Sequence, residues 1–317
     1  MYSDKSVLLI GGGGTLGTYT AFELLKMGCR VDVICPEKKI SHNKRLRFYR
    51  EYATEAVLKK LFDEKCYDGI VNFIHYPDAE SYKPIHKLLS ANTGHLIFLS
   101  SYRVYADLQH PITETAPMLL DVTDDKEFLA KETYALSKAR AEKFLKNESA
   151  TKNWTVVRPV ISFSERRFDL VTHSGREIIE KAKAGEKIYL PYEAKNLTAG
   201  LDWAGNSGKL IANLLFKEET LGEAYTISSA QNLTWGEAAE IYTELLGAEF
   251  EWIDAQAYIK NYEDPNKIWI LLYDRFFDRK IDNSKVLKAT GLHKEDFATI
   301  RDGIITELLI MDKGEQQ

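Results

Sequence analysis

Tyr134 and Lys138, four residues apart in Tyr134-Ala135-Leu136-Ser137-Lys138, share one face if the stretch is helical. An ammonium beside a phenol stabilises the phenolate, so such a pair suits proton transfer near neutral pH. Upstream, Ser100 and Ser101 directly follow the apolar run His95–Leu99. Hydroxyls at the carboxyl end of a buried strand stand where open α/β sheets bind ligands. At the start of the chain, Val7-Leu8-Leu9-Ile10 runs into four glycines and then Thr15-Leu16-Gly17. Glycines at 11, 14 and 17 suit a tight turn, a close approach of backbone to a pyrophosphate, and close helix–strand packing. The helix that follows would aim free N–H groups and a partial positive charge at phosphates.

These residues need a scaffold, and the rest of the chain predicts one. Apolar strand segments at 7–10, 30–34, 68–74, 95–99 and 154–159 alternate with helical patterns at 16–27, 53–62, 82–89 and 127–147. Continuous apolar strands separated by helices indicate a Rossmann-type α/β fold, a doubly wound parallel sheet covered on both faces. Pro84 is expected to interrupt the 82–89 helix, and Lys38–Arg50 reads as a basic loop. After about residue 163 the pattern changes. A helix near 176–184, a strand at 187–190, a helix opening at Leu201 and a strand at 224–228 are followed by Thr234, three residues before Glu237, a capping box. The expected organisation is a dinucleotide-binding domain over 1–163, with 197–230 packing back onto it, and a smaller C-terminal α/β substrate-binding lobe over 164–317.

Composition narrows the function. The 317 residues are 44% hydrophobic and 28% charged, with a net charge of −5. An acidic chain is a poor phosphate neutraliser, which argues against nucleic acid as partner. No apolar run is long enough for a membrane span. Cys29, Cys35 and Cys66 lack metal-ligand spacing and read as free thiols, so no metal is expected and the expected location is the cytoplasm.

Taken in order, the glycine turn, the strand-end serines and the Tyr-x-x-x-Lys helix resemble the extended short-chain dehydrogenase/reductase family, in its NAD(P)-dependent epimerase/dehydratase group. Glu142, Arg158-Pro159, Leu201-Asp202-Trp203-Ala204 and Asp282-x-Ser284-Lys285 also fall at matching places, so the resemblance covers nearly the whole chain. It implies that Ser101, Tyr134 and Lys138 are the catalytic residues. Tyr134 would be the acid/base, Lys138 would tune it and bind the nicotinamide ribose, and Ser101 would steady charge on the substrate oxygen. The implied cofactor site comprises Gly11, Gly14, Thr15, Leu16, Gly17, Cys35, Lys38, Tyr134, Lys138 and Pro159. Substrate contacts are expected from Ser101, Tyr102, Arg166, Arg167 and Arg275, the last resembling an arginine that binds a substrate pyrophosphate.

Three departures refine this. Tyr102-Arg103 stand where sugar dehydratases carry an Asp-Glu pair, which disfavours dehydration. The tip of the second strand is Cys35 rather than an acid, for which Glu37 could substitute, and Lys38 and Lys39 follow, so the cofactor is NAD or NADP with a lean to NADP. Asp121–Lys131 is more charged than the corresponding link in the family. The expected function is epimerisation of a nucleotide-sugar carbinol. A reductase of small ketones or aldehydes using NADPH is the alternative, and a non-catalytic dinucleotide sensor or RNA-binding relative is the third reading. A homodimer is expected through the helices around 80–90 and 130–147.

Overall fold

In the computed structural model, residues 2–165, 169–260 and 265–315 are described. Seven parallel strands form the central sheet. Six are consecutive: β1 (Ser6–Ile10), β2 (Arg30–Cys35), β3 (Leu46–Arg50), β4 (Tyr67–Asn72), β5 (Thr93–Leu99) and β6 (Trp154–Pro159). The seventh, Glu223–Ile227, pairs with β6 at the edge. The spatial order from that edge is 223–227, β6, β5, β4, β1, β2, β3. From β1 the chain moves outward to β2 and β3, then returns to β4 on the other side of β1. That reversal opens a crevice at the carboxyl ends of β1 and β4, the usual ligand position of such sheets.

Period-two packing explains why β1 is entirely apolar. Val7 and Leu9 face one side, with Ala21 and Leu24 of α1 (Thr15–Lys26) and Leu210, Ile211 and Leu214 of the helix Ala204–Leu214. Leu8 and Ile10 face the other side, with Leu58 and Leu61 of α2 (Glu55–Glu64), Tyr82 and Leu89 of α3 (Ala79–Ala91), and later helices. Both faces are covered, so every position of the strand is buried.

Several sequence expectations need correction. The basic stretch is not all loop: Leu46–Arg50 is an edge strand in which Leu46, Phe48 and Tyr49 are half-buried and Arg47 and Arg50 are exposed. Its charges belong to a sheet edge that faces water. Pro84 sits inside α3 without ending it. The expected 127–147 helix is two helices, α5 (Lys126–Lys131) and α6 (Ala135–Asn147), with a break at 132–134, and a short α4 (Leu119–Val122) precedes them. The Glu132 carboxylate makes the break by accepting the N–H groups of Tyr134, Ala135 and Leu136 at 2.9–3.1 Å, capping α6 at its first turn. Leu201–Trp203 is a short strand, paired with Ile161–Phe163, before its helix begins.

The later chain builds a second core from Leu170, Ile178, Ile188, Leu190, Trp235 and Tyr242, among others. Strand Lys187–Pro191 pairs in parallel with Glu249–Ile253 there. The capping box at Thr234 and Glu237 is present. No helix among the described residues is long and apolar enough to cross a membrane.

Candidate active site

A cavity of about 460 Å³ opens at the carboxyl ends of the strands. Its walls are the glycine turn, the segment 99–103, Tyr134, the segment 159–162, and Ile270 and Arg275 from the C-terminal part.

The glycines divide the work by geometry. Gly11 has φ of +69°, in the left-handed region that favours glycine. A Cβ on Gly17 would lie 2.4 Å from the Gly12 backbone, so only glycine lets α1 approach the turn this closely. A Cβ on Gly14 would meet nothing within 4 Å. Gly14 caps α1 and has no side chain to accept the N–H groups of Thr15, Leu16 and Gly17, which stand at the cavity wall. The Thr15 hydroxyl bonds Ser164 at 2.9 Å, tying the turn to the chain after β6. This open, uncapped helix N-terminus fits a dinucleotide pyrophosphate.

At the tip of β2, Cys35 is buried, and burial pushes its thiol pKa up. Glu37 reaches back over the turn: a Cβ added to Gly13 would lie 2.5 Å from its carboxylate. Lys39, not Lys38, engages the loop, donating to the Gly13 carbonyl at 2.6 Å. Lys38 is exposed. Asp32 points away from the cavity and accepts from Tyr67 at 2.7 Å and Lys65 at 2.8 Å.

The two serines separate. Ser100 donates its hydroxyl to Glu142, which is held in turn by Arg158 in a buried fork with Nε at 3.0 and 3.1 Å. Ser101 accepts the Arg103 N–H at 3.2 Å, and its own hydroxyl proton is left for a ligand oxygen. Half-buried Tyr134 stands at the N-cap of α6, its ring between the edge of His75 at 5.3 Å and the Arg103 guanidinium at 5.2 Å. Lys138, one turn on, is 2% exposed and donates to the carbonyls of Leu99 at 2.5 Å and Ile74 at 3.3 Å. Burial pushes its pKa down to about 7. Pro159 closes β6 at the cavity wall.

The deeper wall holds Arg275, expected from the sequence, and beside it Asp274 and Arg279, which sequence reasoning missed. A π-helical turn, Leu271–Arg275, presents Asp274 and Arg275 together. Asp274 is fully buried. Burial pushes its pKa up, but Arg275, Arg279 and Arg103 outweigh that and hold the carboxyl below its ordinary value. One of its oxygens takes Arg279 Nε at 3.1 Å; the other takes the Tyr102 hydroxyl at 2.9 Å and Arg275 Nη1. Tyr102 therefore lines the cavity with its ring while its hydroxyl turns to Asp274. Arg275 is 6% exposed and also donates to the Val171 carbonyl at 2.6 Å. The closeness of Asp274, Arg275 and Arg279 in sequence was a signal, but only the π turn reveals that they share one anion. Arg166 and Arg167 lie outside the described residues, and no metal-ligand cluster occurs among those that are described.

Known structures repeat this architecture. The Bordetella bronchiseptica enzyme WbmG, solved in complex with NAD, superposes with a TM-score of 0.70 at 17% identity, over 98% of this chain and 95% of that one. UDP-glucose 4-epimerase of Thermotoga maritima, solved with UDP-glucose, gives 0.69 at 14% identity over 98% and 99%. TunA, an NAD-dependent NDP-hexosamine 5,6-dehydratase of tunicamycin biosynthesis, gives 0.69 at 15% identity over 98% of each chain. At these identities the likeness is one of fold. No curated protein matches the sequence. The sequence model of the NAD dependent epimerase/dehydratase family matches residues 7–204, well over half of the chain, and the protein belongs to that family.

Proposed function

We propose that this protein epimerises a nucleotide sugar at a carbinol carbon, using Ser101, Tyr134 and Lys138 and a bound NAD. The observation that carries the reading is the meeting, on one cavity, of the open glycine turn at Gly14, the uncommitted Ser101 hydroxyl and the Tyr134 ring. Bound NAD would supply reversible hydride acceptance. The chain supplies the rest. Tyr134 takes the carbinol proton and returns it. Ser101 donates to the substrate oxygen, where charge develops. Lys138 is fixed by the Leu99 and Ile74 carbonyls within one turn of Tyr134, in a site where burial disfavours its charge. It can bind a ribose hydroxyl. Arg275 would meet the diphosphate from the deep wall, where it lines the cavity.

The cofactor choice follows the strand tip. Glu37 brings a carboxylate over the turn, where it suits ribose hydroxyls and repels a 2′-phosphate. That favours NAD over the NADP expected from Cys35 and Lys38, and the NAD dissociation constant should be the smaller of the two at matched salt. Protein purified gently and then denatured should release NAD, mostly oxidised. Empty protein that fills with NADPH and reduces neutral carbonyl compounds would replace this reading with the reductase alternative.

A further inference from the structure

Arg103 presents N–H donors that the fold leaves without a close partner. It lines the same cavity as Ser101 and Tyr134, with its side chain 17% exposed. Among the described residues its guanidinium makes no side-chain hydrogen bond, and Nε is shut away from solvent without a partner. Two carboxylates approach it, Glu132 at 3.6 Å and Asp274 at 3.9 Å. Both are already engaged by closer donors. Glu132 caps α6 through three main-chain N–H groups. Asp274 holds Arg275, Arg279 and the Tyr102 hydroxyl. An arginine presents five N–H donors in a planar fork, and leaving them unbonded in a largely buried site is costly. What the fold leaves unpaired, a ligand can pair.

We infer that Arg103 binds a carboxylate on the sugar ring, beside the reacting carbon, and so selects a nucleotide-activated hexuronic acid. The inference rests on the nucleotide-sugar reading above and adds the sugar class. Position decides which anion is meant. The guanidinium lies 5.2 Å over the Tyr134 ring, so a group held by it sits beside the carbinol that Tyr134 deprotonates. A hexuronic acid places its carboxylate on the carbon next to the 4-hydroxyl, and a planar carboxylate matches the guanidinium fork. The diphosphate falls to Arg275, which lines the same cavity from its deep wall. Tyr102 and Arg103 stand where the resemblance puts the Asp-Glu pair of a sugar dehydratase, which agrees with a reaction that does not dehydrate.

The test uses full-length protein saturated with NAD and two ligand pairs differing at the carboxylate: UDP-glucuronate with UDP-glucose, and GDP-mannuronate with GDP-mannose. In calorimetry, one uronate should bind about ten- to a hundredfold more tightly than its neutral partner. Arg103→Gln should abolish that difference while the neutral sugar's affinity changes little. Arg103→Lys, which keeps charge without the fork, should fall between. Thermal denaturation of each variant separates folding from binding, and the wild-type preference stands as a test even if Arg103→Gln does not fold. Equal affinity within the pairs, or equal loss on both members, would overturn the inference and assign Arg103 to the diphosphate or the fold. Binding of no member of either pair would instead defeat the nucleotide-sugar reading, and the inference with it.

Discussion

Tyr134 carries the proton in this account, so Tyr134→Phe should lower turnover by about 100- to 10,000-fold while the protein still folds and binds NAD. Steady-state assay together with cofactor titration checks this; activity within a few-fold of wild type would remove Tyr134 from the chemistry. Arg275 makes a different prediction. Truncating it strands part of the buried Asp274 charge, so Arg275→Ala should cost on the order of 3–5 kcal/mol in urea unfolding. Loss of substrate affinity in that variant has to be read after this cost. At this scale the sequence showed the residues that resemble a motif: the glycines, Ser101, Tyr134 and Lys138. It showed Arg103 and Asp274 only as letters, because their roles depend on which carboxylates are already satisfied. That is a property of three-dimensional pairing between residues up to 172 positions apart.

The elements place those residues. The turn between β1 and α1 works because Gly14 is open and Gly17 is crowded. Gly14→Val should leave the protein folded and unable to bind NAD, since its side chain would fill the space beside the first-turn N–H groups; unchanged NAD affinity in calorimetry would contradict the cradle. On β5, His95 accepts the Phe216 N–H at Nδ1 at 3.0 Å and meets Thr155 at Nε2 at 2.8 Å, and Thr155 donates onward to the Thr220 carbonyl. Burial lowers the His95 pKa from 6.5 to about 4. Between those values the unfolded chain binds more protons than the folded one, so stability is lost as pH falls through that window. From pH 7 to pH 5 the wild type should lose about 2 kcal/mol more than His95→Gln, measured by urea unfolding. Equal losses would show that His95 is protonated in the fold. Strands with both faces buried were legible from apolar runs. The edge strand Leu46–Arg50 was not, because one water-facing edge carries the same residues as a loop. Nor was the break before α6, since a Glu two residues ahead of a Tyr does not reveal that it caps the helix.

At the scale of the whole molecule, alternating strands and helices were enough to predict the parallel sheet, and its crevice at β1 and β4 collects the candidate site. The charge-rich link before Tyr134 was legible as unusual, but not as what it builds. Leu119 of α4 and Phe128 of α5 pack with Leu136 and Trp269, and Asp121 pairs with Lys143 of α6. The link therefore covers α6. Within α6, Lys143, Lys146 and Asn147 are exposed and the remaining residues are buried or half-buried. The dimer expected from the sequence runs through the helices around 80–90 and 130–147, and on α6 that leaves Lys143, Lys146 and Asn147 as the exposed contacts. Light scattering tests it: twice the mass of one chain, reduced by charge changes at Lys143 and Lys146, would support the dimer, and the mass of one chain would count against it. Incubating the NAD-loaded protein with nucleotide sugars, uronates included, and following the sugar by NMR tests the epimerase reading. One of them should convert to its epimer, with no net change in the amount of oxidised cofactor and no conversion by Tyr134→Phe. Stoichiometric cofactor consumption with a neutral carbonyl compound, and no epimer from any nucleotide sugar, would contradict it.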